Sequence, residues 1–302
     1  MKQRTLKKDY SFEGKGLHSG RYAHVTIKPA PVDTGLVFVR TDLPGSSPIP
    51  AVGENVSSTA RSTTISCGKA SVGTIEHLMS ALTGLGVDNA LIEIDNKEMP
   101  ILDGSARFYI EAIRPDGLQE QDAERRYVEL KEEISITNPK TGSYVRIIPA
   151  EEPSYEVTID FNSRVLGVQT VHWDGEPANY LDDIAPCRTF VFLHEVQLLA
   201  TLGLVKGGDV ENAIVIVEKP VGKLALKRLA SRFGQPLLSV TPEGYLSNLT
   251  LRFPDECGRH KLLDLIGDLR LAGGFLRAKI TAYKPGHKIN TDTARQLRKK
   301  LF

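Results

Sequence analysis

Twice along this chain a series of short, strand-length apolar segments gives way to a helical period, with a polar, turn-rich stretch between the two rounds. In the first round His24 to Lys28, Gly35 to Arg40, Ser62 to Ser66 and Asn89 to Ile94 read as strands, several alternating with a period of two. Among them, Thr74 to Leu82 carries Leu78, Met79 and Leu82 at helical spacing, with a Thr placed to cap and an acid in the first turn. It predicts a helix of about three turns ended by Gly84 or Gly86. A second helix is expected beyond Asp103-Gly104-Ser105, through Phe108 to Ile113.

The stretch from Arg114-Pro115-Asp116-Gly117 to Arg126 has the composition of an interdomain connection, and the boundary is placed near residue 121, giving domains 1–121 and 122–302. The second round then offers strands at Tyr127 to Glu132, Tyr144 to Pro149 and Tyr155 to Asp160, and a helix from about Glu256 to Ala272. Strands followed by helices in each half predict an α+β protein of two similar layers. The halves share an order of elements without visible sequence identity, so the pattern alone does not decide whether the fold is duplicated.

Composition excludes more than it selects. Lys and Arg number 38 against 37 Asp and Glu, so no global basic field draws nucleic acid or an anionic membrane surface. The three cysteines, Cys67, Cys187 and Cys257, are far apart and lack a C-x-x-C pair, which argues against a disulfide framework and for a reducing, cytoplasmic setting. The N-terminus lacks the apolar run of a signal peptide, and no window approaches the roughly 20 apolar residues of a spanning helix, so no stable membrane insertion is expected.

Four segments carry residues suited to chemistry. In His260-Lys261-Leu262-Leu263-Asp264-Leu265-Ile266-Gly267-Asp268, positions 260, 264 and 268 are successive i, i+4 neighbours, which stacks an imidazole and two carboxylates on one helix face. A His and an Asp at that spacing suit one zinc ion, although taken alone the pattern is more often a solvated face. Glu76-His77 opens the first helix; adjacent helical residues diverge by about 100°, so one can hold a metal while the other serves as a base, or both can be an ordinary helix start. Lys284-Pro285-Gly286-His287 reads as a turn that presents His287 outside regular structure. Cys187-Arg188-Thr189-Phe190-Val191-Phe192 reads as a strand edge.

In this order and at these separations, the four segments resemble the UDP-3-O-acyl-N-acetylglucosamine deacetylases from one end of the chain to the other. Supporting matches are Gly14-Lys15-Gly16-Leu17-His18-Ser19-Gly20, Thr74-Ile75-Glu76-His77, Pro100-Ile101-Leu102-Asp103-Gly104-Ser105, Arg188-Thr189-Phe190, Gly207-Gly208 and Gly286-His287. The resemblance implies two similar domains, each a β-sheet packed on α-helices, with the helices sandwiched between the sheets and a small insert in each domain. It implies zinc on His77, His260 and Asp264, a donor set that by its chemistry also binds iron(II); Glu76 as base; Thr189 and His287 stabilising negative charge on oxygen; and Asp268 orienting His287. Lys261, Lys284, Phe190, Leu17 and His18 would contact the UDP-sugar substrate. Leu193, Val196, Val205 and Gly208, within the segment Leu193 to Val217, would enclose an acyl chain, against the plain alternative that they are core.

The stretch Glu218 to Leu251 is longer than in many relatives, and Cys187 stands where a smaller residue is common. The first of these, with the wording Leu204 to Asp209, resembles a subgroup fused to a 3-hydroxyacyl-carrier-protein dehydratase, which makes that enzyme a fused or neighbouring partner. Competing readings are a binding module for sugar nucleotides without turnover and a metal-dependent phosphoesterase, the latter needing more carboxylates than the sequence supplies.

Overall fold

The alternation written in the sequence becomes the two faces of two sheets. Tyr22–Pro29 buries Ala23, Val25 and Ile27 and turns the residues between them outward; Ser154–Asp160 does the same with Tyr155, Val157 and Ile159. The computed structural model describes residues 1–196, 212–232, 234–235 and 237–301. One sheet runs Tyr10–Lys15, Tyr22–Pro29, Ala90–Ile94, Leu36–Arg40, Ile49–Pro50 in spatial order. The other runs Ile134–Asn138, Ser143–Pro149, Phe275–Tyr283, Ser154–Asp160, Val168–Trp173, with Tyr127–Glu129 added parallel to Phe275–Tyr283.

Strand directions repeat with the order. In each sheet an antiparallel hairpin is followed by a central strand drawn from late in its half of the chain, antiparallel to the hairpin and parallel to the next strand, and an antiparallel edge closes the set. The helices repeat too. Helix α1 (Glu76–Leu85) precedes the central strand of the first sheet and α2 (Arg107–Ile113) follows it. In the second half α3 (Lys223–Arg232) lies in the longer insert, α4 (Glu256–Leu269) precedes the central strand, and α5 (His287–Leu301) follows it. The fold is therefore a duplication, which the sequence had left open, and it is the α+β fold expected.

Each half adds an insert. The first has a three-stranded antiparallel sheet of Val56–Ser58, Thr64–Cys67 and Ala70–Val72. The second pairs Phe190–Phe192 parallel with Ile214–Ile216 and packs α3 over a small apolar cluster that includes Leu193, Val215, Val217 and Leu246. Between the two large sheets, α1 and α4 pack directly on each other, and Leu78, Met79 and Leu82 join Leu262, Leu265, Ile266 and Leu269 in one core. The approach is close because Gly267 faces α1: a Cβ there would lie 2.1 Å from the Glu76 carbonyl oxygen and 3.0 Å from the Ser80 nitrogen.

Several local expectations change. Thr74 does not cap α1; it sits at φ 58°, its hydroxyl bonds Glu98 at 3.3 Å, and Ile75 takes the capping position without a side-chain bond. The helix ends as expected at Gly86, which is left-handed at φ 84°. The expected connection contains a strand, Leu118–Glu124, paired antiparallel with Lys2–Leu6 and running through residue 121. His287 is not in a loop but is the first residue of α5. Among the described residues no helix is long and apolar enough to cross a membrane.

Gly267→Ala should lower unfolding free energy by about 3 kcal/mol, the upper end of overpacking costs, since backbone rather than a side chain would have to yield. Gly222, around which a Cβ meets nothing within 4 Å, provides the control. Urea melts of Gly267→Ala and Gly222→Ala check the difference.

Candidate metal centre and active site

The helical stagger brings three ligand-type side chains together where α1 crosses α4. His77, at the second position of α1, faces His260 and Asp264, one turn apart on α4; ligand atoms of the three all lie within 4.8 Å of one another, and all three residues are buried. His77 Nε2 is 3.7 Å and His260 Nε2 3.4 Å from Asp264 Oδ1, close to the about 3.3 Å edge of a tetrahedron with zinc-ligand bonds of 2.0–2.1 Å. Asp264 Oδ1 is buried without a hydrogen-bond partner, while Oδ2 accepts from Lys261 Nζ at 2.6 Å. This is the one such triad found among the described residues.

Protonation suits ligation. Burial, then the neighbouring His260, pushes His77 down to about 3, and burial also lowers His260, so both rings are neutral at pH 7. Burial alone would raise Asp264, but the Lys261 ammonium, then His260, holds it well below the usual carboxylate range. The His260 Nδ1 lies 3.1 Å from the Cys187 carbonyl oxygen; with Nδ1–H donating there, Nε2 is left as an acceptor facing the triad.

A second cluster adjoins the first. Burial raises the Glu76 carboxyl to about 7. His287 Nε2 stands 3.8 Å from Glu76 Oε1, and its Nδ1 is 3.0 Å from Asp268 Oδ2. Burial opposes a charge on His287 and so does its place at a helix N-terminus, yet Asp268 and Glu76 outweigh both and lift it to about 9. Asp268 accepts further bonds from Thr63 Oγ1 at 2.5 Å and Asn290 Nδ2 at 3.0 Å, and the Thr63 backbone N–H donates to Glu76 Oε2 at 3.0 Å. Thr63, Asn290 and Glu98 are residues that the sequence reading did not single out. Nothing local marks them, because their partners are distant in the chain.

Loops from both halves converge on this centre. The Glu98 carboxylate accepts from the His18 and Ser19 backbone N–H groups at 2.8 Å each and so fixes the Leu17-His18 turn; both ring nitrogens of His18 are buried without a partner, and burial lowers its pKa. Thr189 donates its N–H to the Gly104 carbonyl at 2.8 Å, tying the Arg188-Thr189-Phe190 segment to the first half. The Phe190 ring packs edge-on to His260, with Lys261 Nζ 5.5 Å from its centroid and Phe161 edge-on on another side. Lys284 Nζ pairs with Asp160 at 3.0 Å. Leu17 is half-buried, Leu193 is buried in the small cluster of the second insert, and Val196 is half-buried. Val205 and Gly208 lie outside the described residues.

With this geometry established, comparison with known proteins adds a family. The model described as LpxC, UDP-3-O-acyl N-acetylglycosamine deacetylase, matches residues 3–230 and 235–299. The chain is 42% identical over 301 residues, 100% of its length, to the bifunctional enzyme LpxC/FabZ of Bacteroides thetaiotaomicron, and 43% identical over 300 residues, 99% of its length, to that of Porphyromonas gingivalis. It spans 65% of the length of each of those two relatives. It is 37% identical over 303 residues to the UDP-3-O-acyl-N-acetylglucosamine deacetylase of Teredinibacter turnerae, covering 99% of this chain and 91% of that one.

If the triad holds a metal, zinc should raise the melting temperature of the chelated protein in a concentration-dependent way, by about 2.7 kcal/mol of stability at a free concentration a hundred times Kd. Asp264→Ala should abolish that stabilisation. Thermal melts with bound metal counted per chain test it; an undiminished shift in the variant would sink the assignment.

Proposed function

Since this chain belongs to the LpxC family of UDP-3-O-acyl-N-acetylglucosamine deacetylases, we propose that it hydrolyses the acetamide of a UDP-3-O-(3-hydroxyacyl)-N-acetylglucosamine to acetate and the free amine, the committed step of lipid A biosynthesis, in the cytoplasm. The observation that carries this reading is the buried His77, His260 and Asp264 triad directly beside the Glu76 and His287 pair.

The donor set fits a catalytic zinc: two neutral imidazoles and one carboxylate, with Asp264 Oδ1 left unpartnered in a buried place, and three protein ligands rather than four. Zinc on these residues, or iron(II) with the same ligands, supplies Lewis acidity that acidifies water, polarises an amide carbonyl and lowers the pKa values of neighbouring groups. Glu76, buried and raised to about 7, is a base matched to neutral pH and takes a proton from the attacking water. His287, held protonated by Asp268, stabilises negative charge as the carbonyl oxygen becomes an oxyanion, with Thr189 as a second donor.

Lys261 and Lys284 offer ammonium groups to the diphosphate, and Phe190 an apolar face to the sugar. Leu17 and His18 line the approach, with Leu193, Val196, Val205 and Gly208 in the segment that receives the acyl chain. We read the halves as meeting near residue 121. The LpxC/FabZ names of the two bifunctional relatives support a dehydratase as fused or neighbouring partner.

Incubating the protein with acylated UDP-N-acetylglucosamine should release acetate, and Glu76→Ala should lose activity by several decades with metal per chain unchanged. Full metal and tight nucleotide binding without acetate would leave a binding module instead. Because Glu76 works deprotonated and His287 protonated, kcat/KM should rise with pH through the Glu76 value and fall through that of His287. A bell-shaped profile, with both limbs below the metal-free values of about 7 and about 9, is expected.

A further inference from the structure

Between the two halves, one fully buried residue touches two functional carboxylates at once. Thr63, 0% exposed, donates its backbone N–H to Glu76 Oε2 at 3.0 Å and its hydroxyl to Asp268 Oδ1 at 2.5 Å. Glu76 belongs to α1 of the first half and Asp268 to α4 of the second. We propose that Thr63 is a positioning residue for the reaction, a strut that sets where His287 stands relative to Glu76. This rests on the deacetylase reading above.

The argument follows from the remaining bonds of Asp268. Its Oδ2 serves both His287 Nδ1 and Asn290 Nδ2, each at 3.0 Å, and both of those partners lie on one helix, so a hold on Oδ1 from the other side completes the restraint on the carboxylate plane. Thr63 supplies that hold. A carboxylate free to turn about its last torsion would swing Oδ2 away from Nδ1 and let the imidazole turn with it. His287 Nε2 is 3.8 Å from Glu76 Oε1, and a small rotation of the ring changes that separation directly. The peptide of the same residue fixes Glu76, so the distance between base and imidazolium is measured from a single point of the first half.

Thr63→Val keeps the shape and the backbone N–H and removes only the hydroxyl; Thr63→Ser keeps the hydroxyl. Outer bonds of this kind at metal sites are worth about 10- to 100-fold in activity. Thr63→Val should therefore lower kcat by about that factor, with KM for the acylated UDP-sugar within about twofold and metal per chain unchanged, and Thr63→Ser should recover most of the loss. Thr63→Ala, also without the hydroxyl, is the second variant should Val prevent folding. A kcat in the hydroxyl-free variants within about twofold of the parent overturns the proposal, as does equal impairment of the Ser variant. If the parent itself releases no acetate, the deacetylase reading fails. Crystal structures of the parent and Thr63→Val then decide the strut alone: a turned Asp268 carboxylate with its His287 bond broken supports it, and an unmoved pair overturns it.

Discussion

The centre of this protein depends on mutual compensation among ionisable groups taken out of water. Any one of Glu76, His260, Asp264 or Asp268, all at 3% exposure or less, would be costly alone in such a place. Together they are affordable because each charge meets its complement: Lys261 against Asp264, and His287 between Asp268 and Glu76. Glu76 comes from the first half and His287 from the second, so that pairing exists only when both halves are folded and docked. Carboxylates at different protonation tendencies side by side, Glu76 raised and Asp264 lowered, are the pattern from which acid-base roles are built.

The surrounding loops are held by a second layer of ion pairs, one buried and one half-buried. Arg188 pairs with Glu256 at 2.8 Å, both nearly inaccessible, and the same carboxylate accepts the backbone N–H groups of Arg188 and Arg252. Arg252 reaches on to Asp103 of the first half at 2.9 Å. Such pairs add little net stability once desolvation is counted. What they do here is geometric: Glu256 lies one turn before His260 on α4, so the Cys187 carbonyl that orients the His260 ring is pinned to the same helix as the ring itself.

Much of this was legible in the sequence, for a specific reason. Positions 260, 264 and 268 are related by the helical repeat, and a local periodicity survives without knowledge of the fold. Adjacent Glu76 and His77 diverge as expected, one toward Thr63 and His287, the other into the triad. Helix α5 was missed because its inner face is largely polar: Asn290, Thr291 and Thr293 are fully buried there beside Ala294 and Leu297, which erases the apolar stripe. Thr63 carried no signal because its partners, 13 and 205 residues away, are brought to it only by tertiary structure. The duplication was invisible as identity because strand order and direction constrain only which positions are apolar.

That duplication has a mechanical consequence. A triad of ligand-type side chains drawn from equivalent helices of two repeats is built as a caliper: its jaws are His77 on one arm and His260 with Asp264 on the other, and glycine-tight contact at Gly267 brings the arms together. Drift between the arms is registered first as mismatch at the jaws. The spacing of the triad is thus a gauge of alignment between the two halves, read at the point where their helices cross.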